Sequence, residues 1–129
     1  MNIPCSSRKF TVMKGQVIYM KLGIIRCMQT EDMCPGTTDF KFIREKRGSF
    51  ADVEGDIEIT GFINCGGCPG KKAALRAKML VERGADTIAF ASCIQKGTPI
   101  GYPCPFAKRM MDLVRNTVGP EIRILDHTH

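Results

Sequence analysis

The 129 residues suffice for one domain with its own apolar core, and a composition of 43% hydrophobic and 25% charged residues is ordinary for a globular protein. The formal net charge is +6, but Arg8, Lys9 and Lys14 supply half of it in a leading segment without acids, and basic and aromatic residues are not interleaved. These features argue against a nucleic-acid partner, and no apolar run approaches the roughly 18 residues that a membrane helix needs.

Seven cysteines are many for this length, although they are fewer than in a disulfide scaffold. Residues 1–19 lack the continuous apolar core of a secretory signal, so we expect a cytoplasmic, reducing location. In that setting, clustered cysteines more often serve metal or redox chemistry than structural disulfides. The composition therefore favours the cysteine thiols as the candidate functional groups.

Residues 1–19 contain turn residues and show little periodicity, so we predict an N-terminal appendage, either a flexible arm or an additional edge strand. The compact domain is predicted to span residues 20–129. Cys5 falls within the appendage and is expected to take no part in a site.

Apolar runs and helical spacing alternate along the remainder of the chain. Runs at residues 17–25, 57–63, 87–91 and 121–125 predict strands, because they are apolar and rich in β-branched residues. Helical spacing predicts helices from Thr37 or Thr38 to Gly48, from Pro69 to Gly84 and from Phe106 to Gly119. The alternation predicts an α/β fold of the Rossmann or flavodoxin kind: a parallel sheet of about four strands in the order 2-1-3-4, with helices on both faces.

The tetrapeptide Cys65-Gly66-Gly67-Cys68 separates the second predicted strand from its helix. Two residues between cysteines suit either a shared metal ion or a reversible disulfide, and the glycines allow a tight turn with positive φ. Pro69 fits the first helical position. Cys68 would then be the N-cap, where free N–H groups and the helix macrodipole lower a thiol pKa.

Strand ends and helix starts share one edge of a parallel sheet, which is where such folds bind ligands. Each predicted strand ends at a cysteine or a histidine, and each predicted helix follows a Cys-Pro pair. Packing preference alone explains six such cysteines poorly, whereas Glu31 and Asp32 are expected to be surface acids. The candidate metal ligands are therefore Cys27, Cys34, Cys65, Cys68, Cys93, Cys104, His127 and His129.

Basic side chains begin two of the predicted helices, Lys71 and Lys72 in one and Lys108 and Arg109 in the other. The helix macrodipole disfavours cations there. Either a nearby anion offsets this cost, such as a thiolate-rich metal centre or an anionic substrate, or the long side chains extend into water.

With these residues in view, the chain resembles the CGGC-domain family. The resemblance covers residues 21–129 and rests on the stretches 23–27, 30–36, 61–70, 91–94, 97–101, 104–105 and 128–129. It implies a metal-binding domain, with zinc as the first candidate. It does not imply a known reaction.

Three functional hypotheses follow. The leading one is a cytoplasmic zinc-binding domain with Cys65 and Cys68 as core ligands. Further ligands would come from Cys27, Cys34, Cys93 or Cys104, and His127 or His129 would complete or cover the site. An iron-sulfur cluster is the second choice of cofactor. The rival is a thiol-disulfide redox enzyme in which an exposed Cys65 attacks and Cys68 resolves, with Cys93 or Cys104 in a second pair. The third is a metal carrier or sensor that docks a partner protein. The sequence does not decide whether the protein is an enzyme.

Overall fold

A computed structural model describes residues 20–30, 33–53, 55–97 and 103–128. The prediction for residues 1–19, together with Cys5, Glu31, Asp32 and His129, lies outside the described residues.

Four parallel strands form one sheet in the order β2-β1-β3-β4, which confirms the predicted fold class and strand order. The strands are β1 Met20–Arg26, β2 Ile57–Asn64, β3 Thr87–Phe90 and β4 Arg123–Leu125. Leu22, Ile24 and Ile25 on β1 are fully buried, although successive side chains of a strand point to opposite faces. Strand β1 is therefore covered on both faces, as expected for the central strand of an α/β sheet.

The helices are α1 Thr37–Glu45, α2 Lys71–Glu82, α3 Ser92–Gln95 and α4 Ala107–Val118, with 3-10 turns at Met28–Thr30 and Gly48–Phe50. Helix α3 lies between β3 and α4, where the sequence analysis predicted no helix. Its four residues are too few to show a helical repeat of apolar positions.

The sheet carries helices on both faces. On one face, Leu80 of α2 lies directly over Gly23 and Gly61, where a Cβ atom at either glycine would clash with it. A β-bulge between Leu22 and Gly23 shifts the register, so that Gly61 stands beside Gly23. On the opposite face, Phe62 packs against Phe40 of α1, with ring centroids 5.1 Å apart. Helix α4 packs beside α2.

The start of α2 differs from the prediction. The helix begins at Lys71, and Gly70 before it has a left-handed conformation with φ +90°. The Gly70 N–H donates to the Gly67 carbonyl at 2.8 Å and closes a turn whose two central residues, Cys68 and Pro69, are joined by a cis peptide bond. Because Gly70 separates Pro69 from the helix, Pro69 is not its first residue and Cys68 is not its N-cap. Those two predictions were wrong.

None of the helices in the described ranges has the length and apolar character needed to cross a membrane.

Candidate functional site

Three cysteines follow strands and lie side by side at one edge of the sheet; we call Cys27, Cys65 and Cys93 the strand-end cysteines. Arg26 and Asn64 are register partners on β1 and β2, and the Cys65 N–H donates to the Arg26 carbonyl at 2.7 Å. On the other side of β1, the Cys27 N–H donates to Cys93 Sγ at 3.2 Å. Cys27 at the end of the central strand therefore lies between the other two.

The other three described cysteines come before helices; we call Cys34, Cys68 and Cys104 the helix-preceding cysteines. The Cys104 N–H donates to the carbonyl of Ile94 at 2.8 Å, which fixes this residue beside α3. The structure thus attaches the loop before α4 to the segment that carries Cys93.

The Cys104 thiol lies within electrostatic range of several other thiols. Burial raises its pKa, and a hydrogen bond from the Phe106 N–H at 3.4 Å opposes that rise. Negative charge on Cys27, Cys68 and Cys65 raises the pKa further. Cys104 is therefore close enough to three other cysteines for their ionisation to affect it.

The two sets of thiols differ in exposure. The strand-end cysteines are buried, with 7% of Cys27, 6% of Cys65 and 6% of Cys93 exposed, whereas Cys34 and Cys104 are half-buried and Cys68 is exposed. The expectation of an exposed Cys65 was therefore wrong. Strand β2 ends at Asn64, but the Cys65 N–H still bonds to β1, so Cys65 remains covered by the core, while Cys68 lies in the turn that follows. All six are free thiols.

Cys93 is the most constrained of these thiols by hydrogen bonds. Burial raises its pKa, while hydrogen bonds from the Cys27 N–H and the Thr30 hydroxyl lower it. Negative charge on Cys27 and Asp39 raises it again. The Thr30 hydroxyl lies between two acceptors, because the Cys27 carbonyl is 3.0 Å from the same Oγ1 and shares its one hydrogen with Cys93. These contacts tie Cys93 to the 3-10 turn that follows β1.

Two side chains that the sequence analysis did not single out hold the turn between Cys65 and Cys68. The side-chain oxygen of Asn64 accepts from the Gly66 N–H at 2.8 Å and from Arg76 Nη1 at 2.7 Å. Arg76 also donates to the Asn64 carbonyl at 3.1 Å. Gly66 and Gly67 have φ of +84° and +99°, in agreement with the predicted positive φ. No local motif marks Arg76, since it is one of several basic residues on α2.

Arg26 places a buried positive charge next to Cys27. Only 8% of the residue is exposed, its guanidinium donates to the Cys34 carbonyl, and its Cζ lies 5.2 Å from the centroid of the Phe62 ring. An arginine at the end of an apolar strand was the sequence signal for this residue. The guanidinium thereby joins the end of β1 to the loop that carries Cys34.

A buried polar network fastens the C-terminal end of the chain to α3. Thr128 donates from its hydroxyl to Asp39 and accepts from the Ser92 N–H at 3.1 Å. The Thr128 N–H in turn donates to the Ser92 hydroxyl at 3.2 Å. All three residues are buried. The network lies next to Cys93, because Ser92 precedes it in α3 and Asp39 acts on its pKa.

His127 is held at the surface of this end. Its Nδ1 lies 2.7 Å from Oδ1 of Asp126, and its carbonyl accepts from the Ser49 hydroxyl at 2.6 Å. These described contacts involve no thiol. His129 lies outside the described residues.

Within the described part of the chain, no three Cys, His, Asp or Glu side chains are arranged closely enough to hold a metal ion. The thiols share one edge without meeting at a single point. Their chemistry nevertheless suits a thiophilic metal, because the free thiol of Cys104 is near enough to Cys27, Cys65 and Cys68 for their charges to raise its pKa.

The chain is similar in sequence to two archaeal proteins. The uncharacterized protein MJ0582 of Methanocaldococcus jannaschii is 39% identical over 93 residues, which cover 67% of this chain and 69% of that protein. The uncharacterized protein MJ0766 of the same organism is 30% identical over 66 residues, which cover 50% of this chain and 94% of that protein. No solved structure matches significantly. The family model described as the CGGC domain matches residues 21–129, and this chain therefore belongs to the CGGC-domain family.

Proposed function

We propose that this chain is a zinc-binding domain in which Cys65 and Cys68 are the core ligands and Cys27 and Cys104 complete the site. The observation that supports the proposal most strongly is the position of Cys27 at the end of the central strand, beside Cys65 and within range of Cys104. Four thiolates are a complete ligand set for structural zinc. Bound zinc would supply a tetrahedral crosslink between these segments.

The surroundings of the four thiols favour such a site. Cys27 and Cys65 are buried, so both would offer a metal ion donors that are shielded from water. Gly66 and Gly67 leave room for the turn to adjust around an ion. Adjustment is required, because the described side chains do not already form a coordination geometry.

The remaining candidates take supporting positions in this proposal. Cys93 accepts the Cys27 N–H and so orients the residue that carries a proposed ligand. Cys34, His127 and His129 would cover the site or hold a second ion, since the thiols outnumber the four that one zinc uses. An iron-sulfur cluster would use the same four thiolates and would be recognised by its visible absorption.

A second function is favoured by the contrast within the Cys65–Cys68 pair. An exposed Cys68 thiolate could attack a substrate disulfide, releasing one substrate thiol and leaving a mixed disulfide. The buried Cys65 thiolate would then attack Cys68, release the second substrate thiol and leave a Cys65–Cys68 disulfide. These roles are the reverse of those expected from the sequence. A metal carrier or sensor that docks a partner protein would use the same thiols and would transfer its metal to an acceptor.

The ligand assignment is tested by serine variants purified without oxygen. Cys65→Ser and Cys68→Ser should each lower retained zinc by about tenfold or more, because each removes a thiolate from a four-thiolate site. Cys5→Ser is the matched control and should retain as much zinc as the unaltered chain. Full zinc in both single variants would refute the assignment.

A further inference from the structure

A cleft of about 550 Å³ lies between the start of α2 and helix α4. Its lining includes Gly70, Lys71, Arg109, Met110, Leu113 and Asn116. A Cβ atom at Gly70 would lie 3.0 Å from Met110 Sδ, so the absence of a side chain at Gly70 allows the two helices to approach here. A volume of this size is typical of sites for small organic molecules.

The charges around the cleft favour an anion. Asp112 is the one acidic residue among the described residues that line the cleft. Its carboxylate already forms ion pairs, with Lys108 Nζ at 3.1 Å and with Arg115 Nη1 at 3.6 Å. Within the described ranges, no carboxylate forms an ion pair with Lys71 or Arg109. Both cations lie in the first turn of a helix, where the macrodipole disfavours them unless a negative charge is nearby. An anion in the cleft would meet both unpaired cations.

The cleft also offers apolar contacts. Leu113 is 40% exposed although it is large and hydrophobic, and Met110 is buried beside it. Pro69 lines the same cleft at its other side. A ligand that combines an anionic group with an apolar body would contact the cations and cover Leu113.

We propose that this cleft binds a small organic anion, a phosphate or carboxylate attached to an apolar group, with Lys71 and Arg109 as its charged contacts. The cleft is distinct from the proposed zinc ligands, because none of the cysteines lines it. Its lining begins at Pro69, the residue that follows the exposed Cys68 in the chain. The inference goes beyond zinc binding and does not depend on it.

Titration of isotope-labelled full-length protein with phenyl phosphate, followed by amide chemical shifts, tests the cleft. The largest shifts should fall on Gly70, Lys71, Arg109 and Leu113. Phenol, which lacks the charge, and inorganic phosphate, which lacks the apolar body, should each bind about tenfold more weakly than phenyl phosphate. Benzoate distinguishes the two anion classes: tighter binding of benzoate in the cleft assigns a carboxylate, and weaker binding assigns a phosphate. No shifts in the cleft with either anion up to about 10 mM would overturn the proposal.

Charge reversal separates the cleft from general electrostatics. Lys71→Glu and Arg109→Glu should each weaken phenyl phosphate by about tenfold, and an acid in the first turn suits the helix macrodipole, so folding should be retained. Lys78→Glu makes the same charge change on an exposed part of α2 away from the cleft and should alter affinity less than about twofold. Equal weakening in all three variants would overturn the proposal.

A last control distinguishes this inference from the proposed function. In a variant with both Cys65→Ser and Cys68→Ser, zinc retention should fall while phenyl phosphate binding in the cleft persists. If a folded double variant no longer bound phenyl phosphate, the anion would bind at the thiols, and the proposal of a site in the cleft would be overturned.

Discussion

The strand-end cysteines and the helix-preceding cysteines lie at the same edge of the sheet but meet solvent very differently. Cys27 and Cys65 directly follow β1 and β2, Cys93 lies in α3 just after β3, and all three are buried. Cys34, Cys68 and Cys104 lie in the loops that return to the helices, where the chain has already left the core. The fold thus supplies one set of thiols that is positioned by the sheet and another that faces incoming molecules.

This contrast sharpens the division of roles. A buried thiol offers a metal a dry, oriented donor but is shielded from a macromolecular disulfide. An exposed thiol such as Cys68 can reach an ion or a substrate from solution. The pair Cys65 and Cys68 combines both properties across two glycines, which explains why one turn suits both metal binding and thiol exchange.

Alkylation rates should show the largest difference between the two sets. In metal-free, reduced protein, iodoacetamide should label Cys68 about a hundredfold or more faster than any strand-end cysteine, because buried thiols react only after local opening. Peptide mapping by mass spectrometry over time measures each rate. Protein unfolded in urea is the control, and there the differences should largely disappear. Equal alkylation rates for Cys65 and Cys68 in the folded protein would contradict the difference in exposure between the two sets of cysteines.

The pH dependence of the same labelling tests the electrostatics. Because burial and neighbouring thiolates raise the pKa of Cys104, its labelling rate should keep rising at pH values where an unperturbed thiol levels off. Burial also raises the pKa of Cys93 in the folded state. The folded state therefore retains these protons longer, so its stability should decline as the pH rises through the raised pKa values. Stability that increased over that range would contradict this sign.

Substitution in the glycine turn should disturb the link between the two sets. A Cβ atom at Gly66 would lie 2.5 Å from the Lys72 Cβ, and φ there is +84°, so Gly66→Ala should cost about 2–4 kcal/mol of unfolding free energy and weaken zinc binding. Chemical denaturation and zinc titration measure the two effects. Gly84→Ala is the matched control: its φ is +117° with no atom within 4 Å of the added Cβ, so it should cost only about 1–2 kcal/mol. Equal losses in the two variants would exclude the contact with Lys72 as a cause.

Loss of the Thr128 hydroxyl should affect the buried set alone. Thr128→Val removes the hydroxyl that donates to Asp39 and accepts from the Ser92 N–H, at a cost of about 1–3 kcal/mol, and should accelerate alkylation of Cys93 but not of Cys68. Thr117→Val, which removes an exposed hydroxyl on α4, should change stability by about 0.5 kcal/mol or less. Thermal unfolding and peptide mapping provide the readouts. A Thr128→Val variant as stable as Thr117→Val would show that the network contributes little.

The sheet was predictable because its signals are local. The apolar run predicted at residues 57–63 became β2 Ile57–Asn64, and the alternation of strands with helices was enough to obtain the order 2-1-3-4. The three strand-end cysteines could be placed at one edge for the same reason. Helix α3 escaped prediction because four residues carry no helical period.

The details of the site depend on contacts that sequence spacing does not record. Asp39 and Thr128 are 89 residues apart, and neither stands in a recognisable motif with the other. Arg76 reaches back 12 residues to Asn64, which depends on how α2 packs on the sheet. The start of α2 was misplaced because proline is well suited to the first helical position. In the structure, Gly70 has a left-handed conformation, so the helix begins after it and Pro69 lies outside the helix.

Zinc and iron quantification on protein purified without oxygen and without added metal tests the central claim most directly. The proposed four-thiolate site predicts about one zinc ion per chain, lost together with the thiolates of Cys65 and Cys68. Metal-free protein whose Cys65 and Cys68 cycle reversibly between thiols and a disulfide would contradict zinc binding and favour thiol exchange.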